Sequence, residues 1–246
     1  MKRLPILLCF LIALTGPAQA GEAPSTPTTK PRYELIKGKG VEVCEAYGKN
    51  LNSFHQAGPM RCERSIDAEF KDFSKPEWKR IDGLASYPLV ESAHELLERP
   101  SGISRKAELD GLKENIRAQN EPYTFSIAKV DINNDGKPEP ILRYFDTCIP
   151  LGTKGRYGIP LLALTADGKA VDSEKTEHLM QNPGHDKGPG HPVGRWTYAM
   201  YDIFLYKRVA YFDRWSDSID ETGILRVFKT QNGTTKEICS YRYVNE

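Results

Sequence analysis

The amino-acid sequence predicts an α+β protein in which N-terminal helices pack on a C-terminal, mostly antiparallel β-sheet of consecutive hairpins. Two observations predict this class. The first half of the chain repeats apolar residues at spacings of three and four, the period of a helix. The second half alternates β-rich runs with short turns that contain Asn, Asp and Gly, as hairpins do. Helices followed by strands favour α+β over a doubly wound α/β fold.

Residues 1–20 are predicted to be a signal peptide. A basic start, MKR, precedes the apolar stretch LPILLCFLIAL, and AQA forms a cleavage site that ends at Ala20. The apolar stretch is shorter than the roughly 20 residues that span a membrane, and no later stretch approaches that length. Residues 21–32 are rich in Pro and Thr and are predicted to be a disordered leader. We therefore expect a soluble protein that is periplasmic or secreted.

The region 33–120 is predicted to be helical. The first helix begins near Val41, the second spans Leu89 to Glu98, and the third begins after Ser104, a good N-cap residue. The apolar positions on their inner faces are Cys44, Tyr47, Leu51 and Phe54, then Val90, Ala93 and Leu97, then Leu109, Leu112 and Ile116.

The region 121–246 is predicted to form the sheet, and we expect residues 33–246 to make one composite domain. Its turns contain Asn134-Asp135-Gly136, Asp167-Gly168 and Asn232-Gly233. The strand around Met200–Tyr206 is apolar on both faces, which predicts a central strand that is covered on both sides.

The charge balance gives no indication of a nucleic-acid partner. Residues 1–20 hold Lys2 and Arg3 and no acid, so their removal reduces the 34 basic residues to 32, against 33 acidic residues. A nearly neutral chain with interspersed charges lacks the basic footprint of a nucleic-acid-binding protein.

Four cysteines remain outside the signal peptide: Cys44, Cys62, Cys148 and Cys239. An even number in an oxidising compartment predicts two disulfides, with three possible connectivities. We favour the pairs Cys44–Cys62 and Cys148–Cys239, because each then staples one half of the chain. A zinc site is disfavoured because the sequence contains no CxxC motif.

The segment VDINNDGKPEP, residues 130–140, places acids and asparagines between two apolar runs. Counted from its first Asp, oxygen-bearing side chains fall at positions one, three, five and nine. Gly136 stands at position six, where the backbone must turn sharply, and Lys137 offers its carbonyl at position seven. Calcium takes about six to eight oxygen ligands, and alternate residues of a tight turn point at one centre. The predicted side-chain ligands are Asp131, Asn133, Asp135 and Glu139.

The stretch AKVDINNDGKPEPIL resembles the D-x-N-x-D-G-x-x-[DE] hairpin of FG-GAP and VCBS-type repeats, in which strands flank a calcium loop. An EF-hand is not predicted, because Leu142 replaces its bidentate Glu and Pro138 and Pro140 prevent an outgoing helix. In that repeat family the motif recurs from blade to blade of a β-propeller, whereas here it occurs once. The resemblance therefore implies a structural calcium site without a propeller.

The alternative interpretation of the same segment is a metal-free turn that uses Asn, Asp and Gly for their tolerance of left-handed backbone. Such a turn gives no reason for Glu139, and carboxylates crowded without a cation repel one another. We therefore favour calcium.

Two further segments are candidate partner contacts. A loop rich in Gly and Pro carries His178, His185 and His191, at spacings that match no metalloenzyme motif. Arg214 and Trp215 lie near the end of an aromatic strand and are predicted to be exposed, since both residue types are common interface anchors.

The function we expect is that of an exported, non-enzymatic binding protein with a protein or cell-envelope partner. The chain resembles the small, disulfide-bonded periplasmic proteins of Gram-negative bacteria that act as inhibitors or immunity factors, in its size, export and cysteine use. It contains no GxSxG elbow, P-loop or Rossmann glycine pattern. The alternative is a secreted hydrolase that uses histidines and carboxylates of the 178–191 loop.

Overall fold

The computed structural model describes residues 32–54, 64–97, 104–120, 123–144, 160–179, 199–216 and 223–244. Within these ranges the chain forms ten strands and four helices. The strands are β1 (Arg32–Lys37), β2 (Phe73–Ser74), β3 (Lys79–Arg80), β4 (Ser126–Val130), β5 (Glu139–Arg143), β6 (Leu161–Ala163), β7 (Ala199–Tyr206), β8 (Val209–Ser216), β9 (Ile224–Gln231) and β10 (Thr234–Val244). The helices are α1 (Glu42–Ser53), α2 (Tyr87–Leu97), α3 (Arg105–Arg117) and α4 (Ser173–Leu179).

The strands form two antiparallel sheets, where the sequence predicts one. The larger has the order β1-β10-β9-β8-β7-β2, and the smaller has the order β3-β4-β5-β6. Antiparallel pairing is therefore confirmed, and the turns at Asn232-Gly233 and after Val130 join consecutive strands as predicted. The strict succession of helices and then strands is wrong, because β1 precedes the first helix and pairs with the last strand.

Strand β7 of the larger sheet is buried on both faces. On β7, Met200 and Phe204 belong to an apolar cluster that also holds Cys44 and Tyr47 of α1. Tyr201 and its neighbour Ile203 belong to a second cluster, built with α2, α3 and the smaller sheet. The two apolar faces predicted for this strand are thus both covered.

The local signals for the first three helices agree with the structure. Ser104 caps α3, because its Oγ accepts a hydrogen bond from Ala107 N at 3.3 Å. The predicted inner positions Cys44, Tyr47 and Leu51 of α1 are buried, whereas Phe54 is the C-cap residue beyond the helix and is only partly buried. None of the helices in the described ranges combines the length and the apolar character that crossing a membrane demands.

The predicted disulfide pairing is wrong. Cys44 is bonded to Cys239, with their Cα atoms 5.7 Å apart and a separation of 195 positions in sequence. The reason is topological: β1 pairs with β10, so the chain segment that leads into α1 lies beside the last strand. In the chain-entropy model a loop of this length is worth about 5 kcal/mol. Cys62 and Cys148 lie outside the described residues.

The predicted exposure of Arg214 and Trp215 is also wrong. The two side chains are 2% and 1% exposed. Both lie within the register that pairs β8 with β7 on one side and with β9 on the other, so neither is at a sheet edge. Trp215 packs edge-on against Tyr33 of β1, with 6.2 Å between the ring centroids. The two residues are therefore core residues.

Candidate functional site

The acidic turn between β4 and β5 is closed by hydrogen bonds to its own backbone. The two carboxylate oxygens of Asp131 accept from Asp135 N and Gly136 N, each at 2.9 Å. Asp135 Oδ1 accepts from Lys137 N at 2.8 Å. Asn134 and Gly136 adopt positive φ angles of 56° and 91°, a conformation that Asn and Gly tolerate best.

Three of the predicted ligands meet at the side-chain amide of Asn133. Its Nδ2 donates to Glu139 Oε1 at 2.6 Å and to Asp135 Oδ2 at 3.0 Å. The second oxygen of Glu139 accepts from Ile132 N at 3.3 Å. Glu139 therefore has a structural role in this turn, which the sequence-based interpretation of a bare turn did not give it.

The turn contains the residue types of a calcium site, but its side chains are arranged as those of a hydrogen-bonded turn are. Burial raises the pKa of Glu139, and the charges of Asp135 and Asp131 raise it further, against the lowering by Ile132 N–H. Over the described part of the chain, no three His, Cys, Asp or Glu side chains are grouped closely enough to hold a metal ion. The oxygens of Asp135 and Glu139 point at a common place, and an amide N–H group fills it.

Asn134 anchors this turn to the larger sheet. Its Oδ1 accepts from Ala210 N at 2.9 Å, and its Nδ2 donates to Ala210 O at 3.2 Å and to Thr230 O at 2.9 Å. The β8–β9 ladder pairs residues from Phe212↔Phe228 onward, so Ala210 and Thr230 each lie two residues beyond its end. The Asn134 amide thus bridges the two strands where they cease to pair, and it fixes the acidic turn there.

This contact places the acidic turn at the end of the larger sheet where two hairpin turns also lie. We call residues 131–137, 207–208 and 232–233 the turn surface. The β7–β8 hairpin turns at Lys207-Arg208 and the β9–β10 hairpin turns at Asn232-Gly233. All four of these residues have positive φ, between 49° and 69°. The turn surface therefore combines two basic residues with the exposed end of the acidic turn.

A second group of charges lies inside the protein. Asp202 and Asp213 face each other across β7 and β8, and both are 0% exposed. Arg64 binds both oxygens of Asp213 through its Nε and Nη2 atoms, the first at 3.0 Å, and its backbone N–H donates to Asp202 Oδ2 at 2.8 Å. Lys75 Nζ and Arg143 Nη2 donate to Asp202 at 2.5 and 3.2 Å.

The charges of this buried cluster offset its burial unequally. Burial opposes ionisation of Asp202, but the charges of Lys75, Arg64 and Arg143 outweigh burial and lower its pKa. Burial raises the pKa of Asp213 despite the attraction of Arg64. Arg64 keeps its charge, because attraction by the two aspartates outweighs burial and raises its pKa. The facing carboxylates are bound by cations in the interior, which indicates a structural role.

His94 is a core histidine that the sequence did not single out. It is 7% exposed, and its Nδ1 lies 3.0 Å from Tyr144 Oη at the end of β5. Its Nε2 lies 3.7 Å from Glu108 Oε1 on α3. His94 therefore links α2 to α3 and to the smaller sheet through polar contacts.

A surface groove of about 410 Å³ lies between β1 and α1. The Asn52 amide binds the backbone of Tyr33 as a neighbouring strand would, accepting from Tyr33 N at 2.7 Å and donating to Tyr33 O at 2.9 Å. Cys44 forms part of the lining, with Glu45 and Lys49 as the charged residues. At Tyr33, the protein's own side chain thus occupies the edge of the sheet.

The predicted contact residues do not meet in one place. His185 and His191 lie outside the described residues, as does the side chain of His178, whereas Arg214 and Trp215 are in the core. Asn134 and Arg64, which the sequence analysis did not select, instead make the hydrogen bonds that join distant parts of the chain. Asn134 occupies a position between calcium-ligand positions and could have been noticed as a polar residue without a ligand role. Arg64 carries no local signal, because its partners are distant in sequence.

The comparisons with known proteins give no match to this chain. No family model matches the chain, and neither the curated proteins nor the solved structures give a significant match.

Proposed function

We propose that this is an exported binding protein of the inhibitor or immunity type, that it performs no catalysis, and that it contacts its partner through the turn surface. The observation that carries the proposal is the bridge of Asn134 to Ala210 and Thr230. It joins a polar turn to two hairpin ends and so creates a preorganised surface on a buried sheet. Binding residues gather on loops that a rigid scaffold holds in place, which supports this assignment.

We further propose that the acidic turn binds calcium as a structural ion. The ligands would be the side chains of Asp131, Asn133, Asp135 and Glu139 and the carbonyl of Lys137. Calcium would neutralise three carboxylates and stiffen the turn. Binding requires the Asn133 amide to turn its oxygen toward Asp135 and Glu139, in place of the N–H group that now bridges them.

Calorimetry and thermal unfolding with calcium test the metal site. Extracellular calcium modules have a Kd of about 10⁻⁴ to 10⁻³ M. At about ten times Kd, binding should add about 1.4 kcal/mol to the free energy of unfolding. Asp131→Ala should abolish both the heat and the shift in Tm.

Asp167→Ala provides the matched control, because Asp167 is also a turn carboxylate and accepts from Thr165 Oγ1 at 2.6 Å and from Lys169 N at 3.1 Å. This variant should bind calcium as the wild-type protein does. Absence of heat and of a Tm shift in the wild-type protein would disprove the calcium site and leave the hydrogen-bonded turn.

Affinity capture from an envelope extract of the source cells tests the binding function. The immobilised proteins are the wild type, Asn134→Gly, which releases the acidic turn from Ala210 and Thr230, and Lys106→Glu/Arg117→Glu on α3 as the control. We expect a protein that the wild type and the control retain and that Asn134→Gly loses. A partner that all three retain equally would place the contact elsewhere. Capture with a chelator shows whether calcium supports the contact.

A further inference from the structure

The turn of the β7–β8 hairpin carries an unfavourable backbone conformation at two charged residues. Lys207 and Arg208 are exposed, and their φ angles are 49° and 67°. Asn-Gly is the preferred sequence for a two-residue hairpin turn with positive φ at both positions. At positive φ the Cβ of most residues crowds the following carbonyl oxygen, whereas Gly has no Cβ and Asn tolerates the conformation. Lys and Arg are not residue types that favour this backbone conformation.

The neighbouring hairpin shows that the same fold admits the favourable sequence. Asn232 and Gly233 turn β9 into β10 with φ angles of 53° and 69°, nearly those of the Lys-Arg turn. Both turns lie at the same end of the same sheet. Unfavourable backbone that persists in a structure is concentrated at sites where the residues serve a function. The comparison therefore indicates that Lys207 and Arg208 do not serve the backbone conformation of their turn, which Asn-Gly would favour.

The support of this turn is rigid. Strands β7 and β8 pair without a break from Ala199↔Ser216 to Tyr206↔Val209. Lys207 N donates to Asp72 O at 2.9 Å, and Lys207 Nζ binds Glu42 Oε1. Lys207 is thus held against the body of the protein.

Arg208 differs from Lys207 in its contacts. Its exposed side chain forms no hydrogen bond or ion pair with any residue of the described ranges. A guanidinium that is presented in this way is available to bind a carboxylate through two parallel hydrogen bonds.

We propose that the Lys207-Arg208 turn enters an acidic pocket of a partner protein, with Arg208 binding a carboxylate there. This inference rests on the proposed binding function and names the part of the turn surface that makes the contact. Acidic groups flank the turn, namely Glu42 at Lys207 and the acidic turn that Asn134 fixes beside Ala210. These acidic groups would repel an extended polyanion such as nucleic acid or an anionic membrane. A small acidic pocket would contact only the narrow turn and not the acids that flank it.

The test is the double substitution Lys207→Asn/Arg208→Gly, which copies the neighbouring hairpin. We expect Tm to rise by about 3–6 °C, because the backbone conformation becomes favourable. The short acidic peptide N-acetyl-Glu-Glu-amide is the binding probe, and NMR amide shifts are the readout. In the wild type the peptide should shift the signals of residues 206–209, and the double variant should lose these shifts.

The control is Lys106→Gln/Arg117→Gln, which removes one lysine and one arginine from exposed positions of α3. It should keep the peptide shifts at residues 206–209. Peptide shifts spread equally over α3 and the turn, or an unchanged or lower Tm of the Lys207→Asn/Arg208→Gly variant, would overturn the inference. Binding of the turn to phosphatidylglycerol vesicles or to duplex DNA, with no response to the peptide, would overturn it in favour of a phosphate surface.

The proposed function can fail separately. A captured partner that the Lys207→Asn/Arg208→Gly variant retains as well as the wild type does would end this inference alone. Peptide shifts and a raised Tm without any captured partner would end the binding function as framed above and leave an anion-binding turn.

Discussion

Two groups of carboxylates in the described part of the chain are stabilised in different ways. In the acidic turn, Asp131, Asp135 and Glu139 receive hydrogen bonds from N–H groups of the same turn. In the interior, Asp202 and Asp213 are bound by cations that are between 59 and 149 residues away in sequence. One group is organised by local backbone and the other only by the folded chain.

The difference follows from solvent. Neutral donors are sufficient at a surface, where water screens the remaining charge. An ionised carboxylate without water requires a cation, because desolvation costs several kcal/mol per ion. The two groups should therefore respond differently when a partner group is removed.

The largest effect is expected at the buried cluster. Arg64→Met leaves Asp213 without a cation, and breaking a buried pair from one side costs about 3–5 kcal/mol. Urea unfolding measures the loss. The double variant Arg64→Met/Asp213→Leu should recover part of it, because no buried charge is then unpaired.

The surface control for this experiment is Arg105→Gln. Arg105 forms ion pairs with Glu91 and Glu95, and its side chain is 66% exposed. Exposed pairs contribute about 0–1 kcal/mol, so this substitution should change stability little. An equal loss from Arg64→Met and Arg105→Gln would show that the buried cluster has no special role.

A smaller effect is expected where the acidic turn meets the sheet. Asn134→Gly keeps the positive φ accessible and removes the side-chain bonds to Ala210 and Thr230, which should cost about 1–3 kcal/mol. Hydrogen exchange at Ala210 N–H provides the local readout, and protection there should fall. Unchanged protection at Ala210 would mean that the turn is fixed by other contacts.

The smallest effect is one of pH, and its sign is opposite for Glu139 of the acidic turn and Asp202 of the interior. The pKa of Glu139 is raised above 4.5 in the folded state, so its contribution to stability is greatest below pH 4.5 and falls as the pH rises through the folded pKa. The pKa of Asp202 is lowered below 3.8, so its contribution is present above pH 3.8 and is lost as the pH falls through the folded pKa.

Thermal unfolding between pH 3 and pH 7 at low salt checks both signs. Glu139→Gln should remove the decline above pH 4.5 and leave the acid limb of the curve unchanged. An NMR titration of the Glu139 carboxyl group reports its pKa directly. A pKa at or below 4.5 would contradict the prediction for the acidic turn.

The sequence predicted what is local and missed what the topology creates. The N-cap at Ser104, the inner face of α1 and the turn at Asn232-Gly233 depend on residues a few positions apart, and all are present. The pairing of β1 with β10 has no local signal, so the disulfide partner of Cys44 was missed. The division of the strands between two sheets was missed as well, because it too depends on the topology.

The same distinction explains the candidate site. The acidic turn was found because its residues are consecutive, and calcium there stays a prediction. The docking of Asn134 on Ala210 was missed because it depends on how two sheets approach each other. Arg214 was placed at the surface on residue type, and the sheet order buries it.

The bond between Cys44 and Cys239 has a consequence for biogenesis. If the chain is threaded across a membrane from its first residue, Cys62 emerges soon after Cys44, while the true partner of Cys44 arrives 195 residues later. Oxidation in order of emergence would then join the wrong sulfurs. Maturation by that route would require either that Cys44 stays reduced until translocation ends or that an isomerase rearranges an early cross-link.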